Sequence, residues 1–316
     1  MVVAAVVIGR NEGERLLRCL ASLEGRVSPV VYVDSGSTDG SVAAAQAAGA
    51  EVVELDMSIP FTAARARNAG LARLRGMSAP DHVQVIDGDC ALRDGWVKTA
   101  QAFLVAHPDV AIVAGRLRER FPEASLWNNL ADNEWDTPVG ETEAVGGIAM
   151  LRQSAAEQVG GYRDSLIAGE EPELCLRLRR AGWRIWRLDA EMAWHDIAMT
   201  RLGQWWRRAR RHGHAVAEGY RLHGGGPERY CAVPLRRALL WGALVPVIGI
   251  GGLLVTPFAP LVLLFWPAQI LRLRVRGLSW TEAFFLTLGK LPEAQGILGY
   301  YLTRRRGAKV RIIEYK

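Results

Sequence analysis

Cysteine is scarce in this sequence, which excludes a cysteine-based framework. The chain of 316 residues contains four cysteines, and no two of them stand in a C-x-x-C arrangement. Cysteines scattered in this way indicate neither a zinc site nor a set of disulfide bonds. The simplest interpretation is a reducing, cytoplasmic environment. The four residues are Cys19, Cys90, Cys175 and Cys231.

The sequence also lacks the pattern of a secretory signal peptide. The apolar residues from Met1 to Ile8 form a short run with no basic lead, and they continue directly into Gly-Arg-Asn-Glu. A signal peptide needs a longer apolar core and a positively charged start. We therefore expect this run to be the first strand of a cytoplasmic domain.

Positive charge is present in modest excess but is concentrated in the C-terminal third. The formal net charge is +6. Clustered arginines suit either nucleic acid or an anionic membrane surface. Because these clusters flank apolar segments, we favour the membrane surface and expect no nucleic-acid partner. The clusters are Arg207-Arg208, Arg210-Arg211, Arg236-Arg237, Arg272/Arg274/Arg276 and Arg304-Arg305-Arg306.

A stretch without any charged residue runs from Ala238 to Leu271. It is long enough to enter a bilayer, but its four prolines argue against one straight spanning helix. Arginines at both ends favour a hairpin that returns to the cytoplasmic face, although a spanning arrangement stays open. The alternative is an apolar hairpin buried in a soluble dimer. The next apolar segment, Thr281–Thr303, is interrupted by charged residues and proline and predicts an interfacial helix.

Strand and helix patterns alternate through residues 1–115, which predicts an α/β fold with a mostly parallel sheet. Ligands of such sheets bind beyond the carboxyl ends of the strands, where Asp34 and Asp87 lie. Asn11 is expected to cap the first helix. The predicted strands are Val2–Ile8, Pro29–Asp34, Glu51–Leu55, Val83–Ile86, Val110–Arg116 and Gly146–Leu151, and the predicted helices include 41–48, 62–74, Leu126–Trp135 and, after a loop, the end of Ala168–Ala181.

Two groups of carboxylates have the spacing of catalytic residues. Asp87-Gly88-Asp89 closes a predicted strand and offers the hard oxygen ligands that suit Mg²⁺ or Mn²⁺. The adjacent Glu170 and Glu171 precede a helix, where one buried carboxylate with a raised pKa would serve as a general base. The alternatives are an ordinary turn for the first group and favourable contacts with the helix dipole for the second.

Five motifs in this order resemble those of family 2 glycosyltransferases with the GT-A fold. They are Val7-Ile8-Gly9-Arg10-Asn11-Glu12, Val33-Asp34-Ser35-Gly36-Ser37-Thr38-Asp39-Gly40, Ala66-Arg67-Asn68-Ala69-Gly70-Leu71, Asp87-Gly88-Asp89 and Gly169-Glu170-Glu171-Pro172-Glu173-Leu174. The resemblance covers residue 2 to about residue 200. It implies a GT-A catalytic domain at 1–230, with a nucleotide-binding half at 1–115 and an acceptor-side half at 116–230. A helical, membrane-associated region would follow at 231–316.

The resemblance also implies a nucleotide-sugar site that includes Ile8, Arg10, Glu12, Asp34, Arg67, Asp87, Gly147 and Arg208. Asp34 would accept a hydrogen bond from the imide N–H of uracil, which adenine does not offer; the alternative is a turn aspartate that caps its own loop. Arg10 would stack by its guanidinium where the family carries an aromatic ring, and Arg67 would neutralise phosphate or lie on an exposed helix face.

In the family's D-x-D, the first carboxylate faces the ribose and the second binds the metal. These roles fall on Asp87 and Asp89, and His195 would complete the metal shell around Mn²⁺ or Mg²⁺. The base corresponds to Glu171, although the family's usual Glu-Asp is Glu-Glu here, which leaves Glu170 open. A single base and one in-line displacement imply inversion at the anomeric carbon.

The implied function is sugar transfer from a nucleotide sugar, UDP-linked, to a lipid-linked acceptor at the cytoplasmic face of the membrane. The acceptor would belong to surface polysaccharide or glycolipid biosynthesis. Two alternatives stay open: transfer to polyprenyl phosphate itself, and a nucleotide-binding scaffold without turnover. The segment 204–208 lacks the final tryptophan of the Gln-x-x-Arg-Trp motif of processive members, which argues against polymerisation.

Overall fold

The computed structural model describes residues 3–77 and 80–307. The chain divides into two compact units: the first ends at Thr200 and the second begins at Arg201. The domain boundary expected at 230/231 lies further along the chain than this division. The reason is that the helix Leu202–His223 packs along the helix Lys290–Arg305, so it belongs to the second unit.

The first unit is built on a mixed sheet of nine strands within the described residues. The strands are β1 (Val3–Gly9), β2 (Val30–Asp34), β3 (Glu51–Glu54), β4 (His82–Asp87), β5 (Cys90–Leu92), β6 (Val110–Glu119), β7 (Gly140–Glu141), β8 (Ala149–Arg152) and β9 (Arg184–His195). Their order is β3-β2-β1-β4-β8-β6-β9-β5, with β7 also paired to β9. The predicted α/β fold is confirmed. The sheet, expected to be mostly parallel, is mixed: β1 to β4 pair in parallel, whereas β8 pairs antiparallel with both β4 and β6.

Parallel pairing of the first four strands brings the expected site residues to one edge. Strand β1 pairs with β2 and with β4 in parallel, so that Gly9 lies beside Asp34 and Ile8 lies beside Asp87. The interior of β1 is fully buried, as the continuous apolar run of its sequence predicts. Both aspartates therefore occupy the carboxyl edge of the sheet.

Antiparallel pairing of β5 with β9 connects two distant parts of the chain. Strand β5 begins directly after Asp89, and its first residue, Cys90, pairs with His195 at the end of β9. Strand β9 is also parallel to β6, where Glu119 pairs with the same histidine. The D-x-D turn is thus held next to His195 by backbone hydrogen bonds.

Seven α-helices flank this sheet within the described part of the first unit. They are α1 (Glu14–Leu23), α2 (Ser41–Ala47), α3 (Ala63–Met77), α4 (Trp96–Ala106), α5 (Leu126–Glu134), α6 (Gln153–Gln158) and α7 (Glu170–Arg180). The expectation that Asn11 caps α1 is wrong. The capping position is Gly13, and the Asn11 side chain instead accepts a hydrogen bond from the Thr38 backbone N–H at 2.7 Å.

Helix α3 lies unusually close to the sheet. A Cβ atom placed on Gly70 would lie 2.4 Å from a methyl carbon of Val6 and 3.2 Å from one of Val33. Only glycine fits this approach without a shift of the neighbours. The close contact fixes the height of α3 above the sheet, and with it the position of Arg67 one turn earlier.

The second unit is helical in its described residues. Its α-helices are α8 (Leu202–His223), α9 (Ala232–Leu239), α10 (Phe265–Val275), α11 (Trp280–Leu288) and α12 (Lys290–Arg305). The single helix expected at Thr281–Thr303 is wrong, because Gly289 separates α11 from α12. Pro292 is tolerated there because it lies in the first turn of α12, where its missing N–H costs no hydrogen bond.

The charge-free stretch folds as a helical hairpin. Helix α9 continues in π and 3₁₀ form to Leu254, so that Ala232–Leu254 is one helical segment of 23 residues, long and apolar enough to cross a membrane. The chain then turns, and the 3₁₀ helix Ala259–Leu264 packs back against it. The indole N–H of Trp266 donates to the Trp241 carbonyl oxygen at 3.2 Å, which ties the two arms together.

Candidate active site

Arg67 lies at the centre of a buried ion-pair cluster in the first unit. Its Nη2 is 2.9 Å from Asp87 Oδ1, and its Nη1 is 2.9 Å from Glu170 Oε1 and 2.6 Å from Glu171 Oε1. The Arg67 side chain is 3% exposed. One guanidinium from α3 therefore gathers carboxylates from the end of β4 and the start of α7.

Glycines make room for this cluster. Gly169 adopts the left-handed conformation (φ 78°) at the start of α7, directly before the two glutamates. A Cβ atom on Gly147 would lie 2.7 Å from Arg67 Nη2 and 3.2 Å from both Asp87 Oδ2 and Glu171 Oε1. Gly147, expected as a nucleotide-sugar contact, thus packs its backbone against the same three side chains.

Burial and like charge shape the titration of this cluster. Burial raises the pKa of Glu171 to about 7, with Glu170 and Asp87 adding to the rise and Arg67 opposing it. Burial also opposes the charge on Arg67, yet the three carboxylates raise its pKa well above the usual range. The guanidinium therefore stays charged, while Glu171 changes its protonation near neutral pH.

A second group of side chains surrounds Asp89. Its Oδ2 is 3.2 Å from His195 Nε2, and the Cys90 thiol lies 3.3 Å from its Oδ1. Ligand atoms of these three residues all lie within 4.8 Å of one another. A carboxylate oxygen and an imidazole nitrogen suit Mn²⁺, and the thiol adds a softer donor. The residues present therefore fit a divalent metal ion.

The two carboxylates of the D-x-D face different partners. Asp87 is bound to Arg67, whereas Asp89 is bound to His195. This separation is what the expected division between a ribose contact and a metal ligand requires. The two roles themselves stay predictions.

Cys90, Trp135 and Glu119 were not expected at the site. The ring of Trp135 lies against the His195 ring, with 4.7 Å between the ring centroids. Glu119 is 1% exposed and accepts a hydrogen bond from the Ile197 backbone N–H at 3.1 Å. It thereby holds the chain that follows His195. No sequence signal marks these residues: strand pairing brings Cys90 and Glu119 beside His195, and Trp135 reaches it from the end of α5.

The Asp34 carboxylate accepts hydrogen bonds from the backbone of the loop that follows it. It is 3% exposed, and its Oδ1 accepts a hydrogen bond from the Tyr32 hydroxyl at 2.9 Å. Its Oδ2 accepts from the backbone N–H groups of Gly36 at 2.9 Å and Ser37 at 2.8 Å. These contacts are those of a capping turn aspartate, and recognition of uracil by Asp34 stays a prediction.

The other expected contacts are distributed more widely. Ile8 is buried beside Asp87, Glu12 forms an ion pair with Arg15 at 2.8 Å, and Arg10 is exposed after β1. Arg208 lies on α8 in the second unit, so it is not among the residues that the first unit brings together.

This sheet, with a D-x-D after β4 and paired glutamates at the start of α7, defines an α/β protein of the GT-A type. The chain belongs to glycosyl transferase family 2, whose pattern matches residues 4–160. Both the predicted family and the predicted fold are confirmed.

Two curated relatives extend this match. The chain is 30% identical over 234 residues to a pre-mycofactocin glycosyltransferase of Mycobacterium tuberculosis, which covers 68% of this chain and 47% of that protein. It is 27% identical over 256 residues to the succinoglycan biosynthesis protein ExoA of Rhizobium meliloti, covering 75% of this chain and 76% of that one. The chain thus spans about half the length of the mycobacterial relative.

Solved structures share the fold. A mannosyltransferase from Pyrobaculum calidifontis, PcManGT, in complex with GDP-Man and Mn²⁺, superimposes with a TM-score of 0.62 at 18% identity, covering 94% of this chain and 86% of that one. Residues 1–349 of TarS from S. aureus give a TM-score of 0.52 at 14% identity, with 97% and 92% covered. Such identities establish the fold alone.

Proposed function

We propose that this protein is an inverting, metal-dependent glycosyltransferase that moves a sugar from a UDP-linked donor to a lipid-linked acceptor. Membership of family 2 supports sugar transfer, and the names of both curated relatives describe glycosyl transfer or polysaccharide biosynthesis. The observation that carries the proposal is the Arg67 cluster. It places a glutamate with a pKa of about 7 beside the first carboxylate of the D-x-D.

Glu171 is the base in this proposal. It accepts the proton of the acceptor hydroxyl while that oxygen attacks the anomeric carbon, and the bond from this carbon to the nucleoside diphosphate breaks with its electron pair leaving on the diphosphate. A pKa close to the working pH suits this task. Glu171 is also the more accessible of the two glutamates, with 14% of its side chain exposed against 5% for Glu170.

The donor side of the proposed site contains groups that would stabilise the negative charge of the diphosphate. Asp89 and His195 would hold a divalent ion, which supplies electrostatic stabilisation to the departing diphosphate when it is bound. Arg67 contacts Asp87 and is 3% exposed, so its charge would reach a donor phosphate oxygen in place of one of its carboxylate partners. Exchange of a carboxylate partner for a phosphate would leave the guanidinium paired and would release Glu171 for the acceptor.

The acceptor is proposed to be lipid-linked because of the hairpin in the second unit. Its turn is strongly apolar and exposed, with Leu254 94%, Val255 89% and Phe258 72% exposed. Arg236, Arg237 and the basic last turn of α10 lie at the other end of the arms. Apolar residues at a tip and arginines at a base suit insertion into an anionic leaflet from the cytoplasmic side.

Donor hydrolysis tests the catalytic half of the proposal. Purified protein is incubated with a panel of UDP- and GDP-sugars, with and without Mn²⁺, and release of the nucleoside diphosphate is measured. We expect release from a UDP-sugar only with metal, and its loss in Asp89→Asn. Asp94→Asn is the matched control, because the Asp94 side chain is 93% exposed outside the cluster. Metal-independent release would contradict the proposal.

Vesicle flotation tests the membrane half. The full chain is expected to float with vesicles that contain anionic lipid, and Leu254→Asp with Val255→Asp should reduce the floating fraction several-fold, because charge is costly in the hydrocarbon region. Val139→Asp is the control, since Val139 is 55% exposed in the first unit. Equal flotation of all three proteins would remove the hairpin from the proposal.

A further inference from the structure

Two buried arginines lie together on the acceptor-side half of the sheet, outside the Arg67 cluster. Arg116 of β6 is 6% exposed and Arg187 of β9 is 5% exposed. Both face one oxygen: Asp136 Oδ1 is 3.5 Å from Arg116 Nε and 3.5 Å from Arg187 Nη2. Two guanidinium groups thus share a single carboxylate oxygen.

The arginines are held in place without Asp136. Arg116 Nη1 donates to the Asp132 carbonyl oxygen at 3.0 Å, and its Nη2 is 3.3 Å from Asp132 Oδ2. Arg187 Nη1 donates to the Leu188 carbonyl oxygen at 2.8 Å. Within residues 3–77 and 80–307, no group accepts a hydrogen bond from Arg187 Nε, which is buried. The pair therefore retains a fixed geometry and unused donor capacity.

Asp136 itself is a loose counter-ion. Its side chain is 65% exposed, and its distances of 3.5 Å exceed the roughly 2.7–2.9 Å of a charge-assisted hydrogen bond. The two arginines and the carboxylates of Asp132 and Asp136 together carry no net charge. Displacement of Asp136 would leave one net positive charge on two guanidinium forks, which match phosphate oxygens in shape and charge.

The position of the pair relates it to the candidate active site. Asp136 follows Trp135, whose ring lies against His195. Along β6, Glu119 pairs with His195, and Arg116 lies three residues earlier, about 10 Å away at the rise of an extended strand. The arginine pair is therefore a separate group on β6 and β9, the two strands that also carry Glu119 and His195.

We propose that Arg116 and Arg187 bind a phosphate group of the acceptor, with Asp136 as the counter-ion that this phosphate displaces. The inference rests on the proposed function, because it names the acceptor chemistry of the same site. A phosphate there would belong either to a lipid headgroup or to a free phosphate ion. A donor diphosphate is a different ligand, bound through Asp89 and Arg67.

Binding of geranyl phosphate to the full chain tests the proposal by calorimetry in metal-free buffer. We expect Asp136→Asn to tighten binding about fivefold, because it removes a competing charge. Arg187→Gln should weaken binding at least tenfold, because it removes a charged donor. Arg184→Gln is the matched control on β9, the strand of Arg187, since Arg184 is paired with Asp109 and Glu141 and is 39% exposed. It should change nothing.

Two further arms identify the ligand. Geraniol, which lacks the phosphate, should not bind. Inorganic phosphate should compete with geranyl phosphate if the phosphate group is the recognised part. If inorganic phosphate binds as tightly as geranyl phosphate, the site is assigned to free phosphate. Equal binding of geraniol would overturn the proposal, and so would unchanged affinity in Asp136→Asn. That exposed substitution keeps the test decisive even if Arg187→Gln fails to fold.

Metal-dependent hydrolysis of the donor, measured on the same variants, separates this inference from the proposed function. The control Arg184→Gln should hydrolyse the donor at the parent rate, because Arg184 is paired with Asp109 and Glu141, away from the Asp89 group. Normal hydrolysis with unchanged geranyl phosphate affinity would overturn the arginine site and leave the proposed transferase intact. Loss of hydrolysis in the parent protein would instead contradict the transferase.

Discussion

The two carboxylates of the D-x-D belong to regions with opposite electrostatic character. Around Asp87, three carboxylates converge on Arg67, a cation whose charge is permanent. Around Asp89, the partners are an imidazole and a thiol, whose charges depend on protonation or on a bound ion. The first region is neutralised in part by the chain itself, whereas the second has the donors to take up a cation.

This difference explains how one tripeptide can serve two tasks. Arg67 restrains the negative charge near Glu171, so that this glutamate titrates close to neutral pH instead of much higher. Asp89, one residue beyond Gly88, points to the other partner set and is 5% exposed.

Glu171→Gln should remove turnover and leave nucleotide binding intact. Loss of a positioned general base typically lowers kcat by about 10²–10⁴-fold. The measurement is kcat for transfer, with UDP affinity by calorimetry as the check on folding. Glu170→Gln is the matched variant, because both glutamates contact the same Arg67 nitrogen. A larger loss in Glu170→Gln would move the base to Glu170.

Asp89→Ala should weaken Mn²⁺ binding while Asp87→Ala preserves it. We expect a loss of at least about tenfold for Asp89→Ala, because it removes the carboxylate from the proposed ligand set, an effect no smaller than that of losing an outer-shell partner. Free Mn²⁺ is measured by electron paramagnetic resonance during titration. Equal losses in the two variants would show that the regions are not separate.

The pH dependence of transfer should reflect Glu171. A base must be ionised to act, and kcat/KM reports the groups of the free enzyme, so kcat/KM should fall about tenfold per pH unit below about 7 and level off above it. Arg67 opposes the rise of this pKa, so Arg67→Gln should move the midpoint to higher pH. The profile is measured in both proteins at donor concentrations well below KM. A midpoint unmoved in Arg67→Gln would contradict the electrostatic role of Arg67.

Sequence patterns predicted one part of this arrangement and not the other. The strands β2 and β4 and the edge that carries Asp34 and Asp87 follow from local signals, namely buried apolar runs that end in aspartate. The contacts of Arg67 with Glu170, 103 residues away, and of His195 with Asp89, 106 residues away, depend on how the chain closes. The resemblance supplied candidates for them, but their partners required the structure.

Local reasoning was wrong where a side chain had a competing partner. Asn11 has the residue type of a helix cap, yet its amide binds the loop after β2, and Gly13 takes the capping position. Asp34 similarly combines a site position with the hydrogen bonds of a turn. In both cases the preference of the residue is satisfied, but by a contact that spacing along the chain does not specify.

Cys90→Ser gives the smallest expected change and the finest test of the Asp89 region. Mn²⁺ prefers oxygen and nitrogen ligands, so its affinity should stay within about twofold. Zn²⁺ binds thiolate strongly, so its affinity should fall if Cys90 joins Asp89 and His195 around the ion. Because Cys90 is 1% exposed and serine is nearly the same size, the fold should tolerate the change. Titration of both metals against both proteins decides the matter: unchanged Zn²⁺ affinity would leave a two-residue site, in which the thiol only fills space beside Asp89.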